Sequence, residues 1–254
     1  MRRGTWEKFV KITDAYRAAC AELGRSLPEL RGFQQALVDN RALGKADGLA
    51  YRVETPIVYN TALDDVTSRD EIKLILVADN PGRREQAAEN RRYLVGPSGK
   101  IADKFFRENP SLGIDFRRNV IILNKTPIHT PRTVELRELC RLGGSAVKEA
   151  LAESQTLMAR LLLDFHHALN NAQVWIIGYS EMKKNGIFET YTESLRSLYA
   201  EKNAQPLLQN VFVFRHFSMN QFTIDLRQQS VPNKPLTENL VRIGSAYRQK
   251  IFGE

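Results

Sequence analysis

The chain has 254 residues, 43% of them hydrophobic, enough to bury a full core in one large domain or in one domain with an appendage. A formal net charge of +8 favours a polyanionic partner, nucleic acid first and an anionic membrane surface second. Cys20 and Cys140 are too few for an iron–sulfur cluster or a structural zinc, and no stretch approaches the ~20 apolar residues of a membrane span. Charges scattered from Trp6 to Leu23 also argue against a signal peptide. The expectation is a cytoplasmic protein, nucleoid-associated if the source is bacterial, with no metal, cofactor or membrane.

Trp6, Phe9, Val10, Thr13, Tyr16, Cys20 and Leu23 recur at helical spacing and predict an amphipathic helix. A second helix is predicted over Leu27 to Leu43, stopped by Gly44. After the apolar patch Pro56-Ile57-Val58-Tyr59-Asn60, the run Ile72 to Ala78 reads as a strand buried on both faces. It breaks at Asp79-Asn80-Pro81-Gly82, because proline cannot continue a central strand and glycine suits a tight turn. A charged loop, the turn Gly96-Pro97-Ser98-Gly99 and a helix from Lys100 to Asn109 follow.

The second strand is Asn119 to Asn124, followed by a Pro-punctuated loop to Pro131. Gly143-Gly144-Ser145 is expected to open a long helix to Leu169, with Ser145 as its N-cap. The third strand, Gln173 to Ile177, ends at Gly178, and a helix spans Ile187 to Ala200. The fourth strand, Val211 to Phe214, ends in Arg215-His216-Phe217-Ser218. A polar loop then leads to a closing helix, Thr237 to Phe252.

Strands alternating with helices predict a three-layer α/β/α fold around a four-stranded, mostly parallel sheet. The whole of 1–254 reads as one domain, with 1–50 as an N-terminal helical extension. Parallel strands bring their carboxyl ends to one edge, the usual ligand site of an open α/β sheet. Asp79, Asn80, Asn124 and His216 therefore converge on one pocket. His166 and His167 fall within a helix and read as ordinary helix residues, and His129 reads as a solvent-exposed residue of the Pro-rich loop, with a phosphate contact as the alternative.

At these strand ends the chain resembles the uracil-DNA glycosylase superfamily, most closely its single-strand-selective monofunctional branch. Val58-Tyr59-Asn60 is similar to that branch's Val-Tyr-Asn-Pro, and LILVADNPG (74–82) to its Leu-Gly-Met-Asn-Pro-Gly. LNKTPI (123–128) is similar to its His-Asn-Leu-Cys-Pro-Leu, and RHFSMN (215–220) to its His-Pro-Ser-Pro-Arg-Asn. ENRRYLVGPSG (89–99) is similar to the Pro-Phe-Val-Gly-x-Ala-Gly segment of the thermostable branch. The resemblance runs in order from Val58 to Asn220.

It implies a monofunctional DNA glycosylase that hydrolyses the N-glycosidic bond of uracil or a related damaged base, acting as a monomer on single- or double-stranded DNA in base-excision repair. A catalytically inactive nucleic-acid-binding relative is the alternative. Either Asn80 or Asp79 handles the attacking water, a carboxylate being the better base and an amide the better orienter. Asn124 reads the base edge and His216 stabilises the charge left on the departing base. Pro81 and Gly82 shape the pocket, and either Tyr93 or Leu94 stacks on the base, with the aromatic Tyr93 preferred. Ser98, Lys125, Phe217, Ser218, Met219 and Asn220 are expected at the DNA, and Arg83, Arg84, Arg91, Arg92 and Arg132 near phosphates. The chain departs from the family at Phe217, where a proline is usual, and at Ala78, where a glycine is usual. The excised base therefore stays open, with hypoxanthine, xanthine and oxidised pyrimidines beside uracil.

Overall fold

Four short runs of Leu, Ile, Val and aromatic residues form the strands β1 (Leu74–Ala78), β2 (Val120–Asn124), β3 (Gln173–Ile177) and β4 (Val211–Phe214). Every residue of β1 and β2 is buried, as a parallel sheet covered on both faces requires. A computed structural model of the chain describes residues 1–43 and 50–253. The sheet order is β2-β1-β3-β4 and every pairing is parallel. Ala78 pairs with Asn124, so the first and second strands end level with each other.

Helices α1 (Arg3–Ser26), α2 (Leu30–Leu43), α3 (Pro97–Glu108), α4 (Glu135–Ala168), α5 (Glu189–Tyr199), α6 (Gln221–Gln229) and α7 (Leu236–Phe252) surround it, giving a three-layer α/β/α architecture. Trp175 of β3 meets Phe214 of β4, Phe106 of α3 and Phe222 of α6, and Phe214 meets Phe222, with ring centroids 5.0–6.1 Å apart. Gly244 of α7 lies so close to Phe212 and Phe214 that an added Cβ would sit 2.6 Å from the first. The other layer is built on α4, which packs against α1, α2 and α5. Phe9 and Tyr16 of α1 and Leu37 of α2 belong to the same continuous core as the sheet.

Two helices differ from expectation. The long helix begins at Glu135, and Gly144 is a kink inside it, with φ 63° and ψ −150°, so the glycine pair interrupts a helix that Leu136 and Leu139 already anchor in the core. Helix α6 occupies what reads as a polar loop; it buries only Phe222 and Asp225 and starts after two left-handed residues, Met219 and Asn220. The expected stop at Gly44 lies outside the described residues. No described helix is long and apolar enough to cross a membrane.

Candidate active site

A cavity of about 970 Å³ lies at the carboxyl edge of the sheet. Asp79 and Asn80 enter it from the end of β1, Asn124 from β2 and His216 from the residues after β4. Its volume is at the upper end of ligand-pocket sizes, room for a whole nucleotide and not just a base.

Asn124 is 1% exposed, and its Nδ2 has no hydrogen-bond partner. Among the described buried side-chain atoms left without a partner, it alone belongs to a residue lining the cavity. A buried amide of this kind costs stability unless something else completes it.

Asn80 is held the other way round. Its Nδ2 donates to Thr130 Oγ1 at 2.8 Å, and that hydroxyl donates onward to the Arg132 carbonyl at 2.9 Å. With the nitrogen committed, Oδ1 is the acceptor offered to the cavity.

His216 has a defined tautomer. The Ser218 N–H donates to His216 Nδ1 at 3.0 Å, so the proton of the neutral ring sits on Nε2. Burial holds the ring below the usual imidazole range; the nearby Asp79 charge opposes that shift and Lys125 adds to it. The side chain therefore presents an uncharged N–H donor.

Asp79 is tied on both oxygens. Lys125 Nζ donates to Oδ1 at 2.6 Å and Thr133 Oγ1 donates to Oδ2 at 3.4 Å. Lys125 also donates to the Ile177 carbonyl at 2.5 Å, and its side chain has no exposed surface. Gly178, at φ 94°, makes the space: a Cβ there would stand 2.2 Å from Asp79 Oδ1. Desolvation lowers the Lys125 pKa and the adjacent Asp79 charge resists it.

Leu94, Gly82, Ser98, Ser218 and Met219 also line the cavity. Ser98 stands in the first turn of α3, where Pro97 occupies a position whose missing N–H costs nothing and the free N–H groups favour an anion. Met219 is 82% exposed at φ 52°, a side chain held up at the rim.

Five expected site residues are elsewhere. Tyr93 points into the core, donating its hydroxyl to the Val58 carbonyl at 2.5 Å and accepting from Tyr16 at 2.6 Å, so the preference for it over Leu94 is reversed. Lys125 cannot reach a phosphate because Asp79 and backbone carbonyls hold it inside. Phe217 is fully buried against Phe222, with centroids 4.5 Å apart. Pro81 is buried, and its carbonyl accepts from His129 Nδ1 at 2.8 Å. Asn220 is exposed but off the cavity wall. His129, expected at the surface, has no exposed area; burial lowers its pKa to about 4, and its Nε2 accepts from the Tyr51 hydroxyl at 3.0 Å.

Of the flanking arginines, Arg83, Arg84 and Arg132 line the cavity, whereas Arg92 pairs with Asp65 at 2.6 Å. Sequence reasoning missed Glu85, Val38 and Arg41, which also line it. Glu85 Oε2 accepts from the Gly82 N–H at 2.8 Å, and the N–H groups of Leu94 and Val95 also face it; burial nevertheless raises its pKa to about 7. Its spacing of three residues from Gly82, the reach of a carboxylate back over a turn, was the available signal. Among the described residues no group of His, Cys, Asp and Glu is arranged to hold a metal ion. Compared with known proteins, the chain matches no family model and no curated sequence.

Proposed function

We propose that the chain is a monofunctional DNA glycosylase that hydrolyses the N-glycosidic bond of uracil or a related damaged base. The observation that carries this reading is the unpartnered amide nitrogen of Asn124, buried in a cavity that also receives Asn80 Oδ1 and the Nε2–H of His216. One amide offers both a donor and an acceptor to the edge of uracil, and cytosine, with the opposite pattern, leaves both groups unpaired.

Asn80 Oδ1 accepts a hydrogen bond from water and aims its oxygen at the sugar carbon. As the glycosidic bond breaks, its electron pair leaves on the base, where His216 Nε2–H stabilises the charge. Asp79 Oδ2, held among the described residues only by the 3.4 Å contact from Thr133 while Oδ1 is paired with Lys125, takes the proton released by the attacking water. Arg83, Arg84 and the first turn of α3 suit a phosphodiester at the rim.

Oligonucleotides carrying a single uracil, hypoxanthine, xanthine or oxidised pyrimidine test the reading by the appearance of abasic sites. Asn80→Ala and His216→Ala are expected to slow excision by about 10²–10³-fold each. Binding across the panel with no base released by the wild-type protein would replace the enzyme with an inactive relative.

A further inference from the structure

A second cavity, of about 610 Å³, opens beside the first and shares Tyr51, Arg83 and Arg84 with it. Arg52, Gln86 and Asn90 form part of its polar wall, with Glu54 and Glu89. Glu54 is already engaged, its Oε2 accepting from the Ala88 N–H at 2.5 Å. Arg52 and Arg84 are exposed and meet no carboxylate among the described residues.

Tyr51 stands in the wall common to both cavities and cannot swing. Its hydroxyl donates to His129 Nε2 at 3.0 Å, and His129 is fixed in turn by its Nδ1–H on the Pro81 carbonyl at 2.8 Å. The Arg83 guanidinium lies 5.3 Å from the centre of the Tyr51 ring. The result is a ledge of ring and cation on the wall of the cavity that also holds Asn80, with two uncommitted guanidinium groups beyond it. Aromatic rings and arginine planes take an unstacked base of any sequence, and free cations take the phosphate that follows.

We propose that the second cavity seats the nucleotide adjoining the target in a single DNA strand, its base on the Tyr51–Arg83 ledge and its phosphate against Arg84 and Arg52. The inference rests on the base-excision reading, but its test does not need excision. Fluorescence anisotropy with a labelled, uracil-free single strand, repeated across salt concentrations, reads strand binding without excision. Arg52→Ala and Arg84→Ala are each expected to reduce the steepness of log K against log salt by about 0.7, the share of one phosphate contact on a single strand. Tyr51→Ala is expected to weaken single-strand binding about ten-fold, leave binding of the matching duplex unchanged, and be largely rescued in Tyr51→Phe, which keeps the ring. A wild-type protein that does not bind the strand, a salt slope that neither arginine moves, or a duplex as sensitive as the single strand to Tyr51→Ala would overturn the proposal. A protein that binds and responds to these changes but releases no base would leave this surface standing and remove the excision reading.

Discussion

Lys125 Nζ donates to Asp79 Oδ1 at 2.6 Å from a side chain with no exposed surface, so the charge beneath the cavity is a pair and not a lone carboxylate. Removing one member of a buried pair strands the other. Lys125→Met should cost about 3–5 kcal/mol in urea unfolding, and Lys125→Met/Asp79→Asn should recover part of that loss. A double variant whose loss equals the sum of the losses in Lys125→Met and Asp79→Asn alone would show that the two groups are not coupled.

Asn124 should behave in the opposite way. Its Nδ2 has no partner in the protein, so Asn124→Leu is expected to leave stability unchanged or to raise it by about 1 kcal/mol, while excision is lost. A stability loss comparable with that of Lys125→Met would mark the amide as structural.

Glu85 makes stability depend on pH. Its carboxyl has a pKa of about 7 in the fold against 4.5 as the ordinary value. The fold therefore holds the proton more tightly than the unfolded chain does. That contribution is complete below the lower value and disappears as pH rises through the higher one. Glu85→Gln has no such term, so its stability relative to the wild type should rise by about 3 kcal/mol across this window. Unfolding curves at a series of pH values measure it, and a constant difference would exclude the shift.

His129 acts in the reverse direction, because burial takes it from 6.5 down to about 4. Its contribution is present above the unfolded value and is lost as pH falls towards the folded one, since the unfolded chain then binds the proton first. Between these limits the wild type should lose about 3 kcal/mol more than His129→Gln. Matching acid limbs for the two proteins would count against a buried neutral ring.

The neighbours Tyr93 and Leu94 separate stability from recognition. Tyr93→Phe deletes the hydroxyl shared by Tyr16 and Val58 and should cost about 1–3 kcal/mol with excision per folded molecule unchanged. Leu94→Ala should weaken substrate binding through the cavity wall. Kinetics on folded protein that respond to Tyr93 and ignore Leu94 would restore the aromatic residue to the pocket.

The sheet was legible in the sequence because its strands are almost wholly apolar runs, and polar or turn residues end or follow them at Asp79-Asn80-Pro81-Gly82, Asn124, Gly178 and Arg215. The convergence of Asn80, Asn124 and His216 followed from parallel topology alone. What stayed hidden depends on which way a side chain turns. Tyr93 and Leu94 are adjacent in sequence, and the positive φ of 51° at Leu94 decides which one faces the cavity. Lys125 carries a surface-type side chain, and only the absence of a Cβ at Gly178 lets it fold inward beside Asp79. Helix α6 has too short an apolar stripe to stand out from a polar loop.

Helices α1 and α2 contain none of the strand-end motifs, yet Val38 and Arg41 form part of the cavity wall and Tyr16 secures the hydroxyl of Tyr93. Grafting the sheet with its strand-end loops onto a foreign scaffold would leave that wall behind and strip the cover from Tyr93. The smallest transplantable unit therefore includes the leading helices, and the cavity is a property of the assembled layers more than of its short signatures.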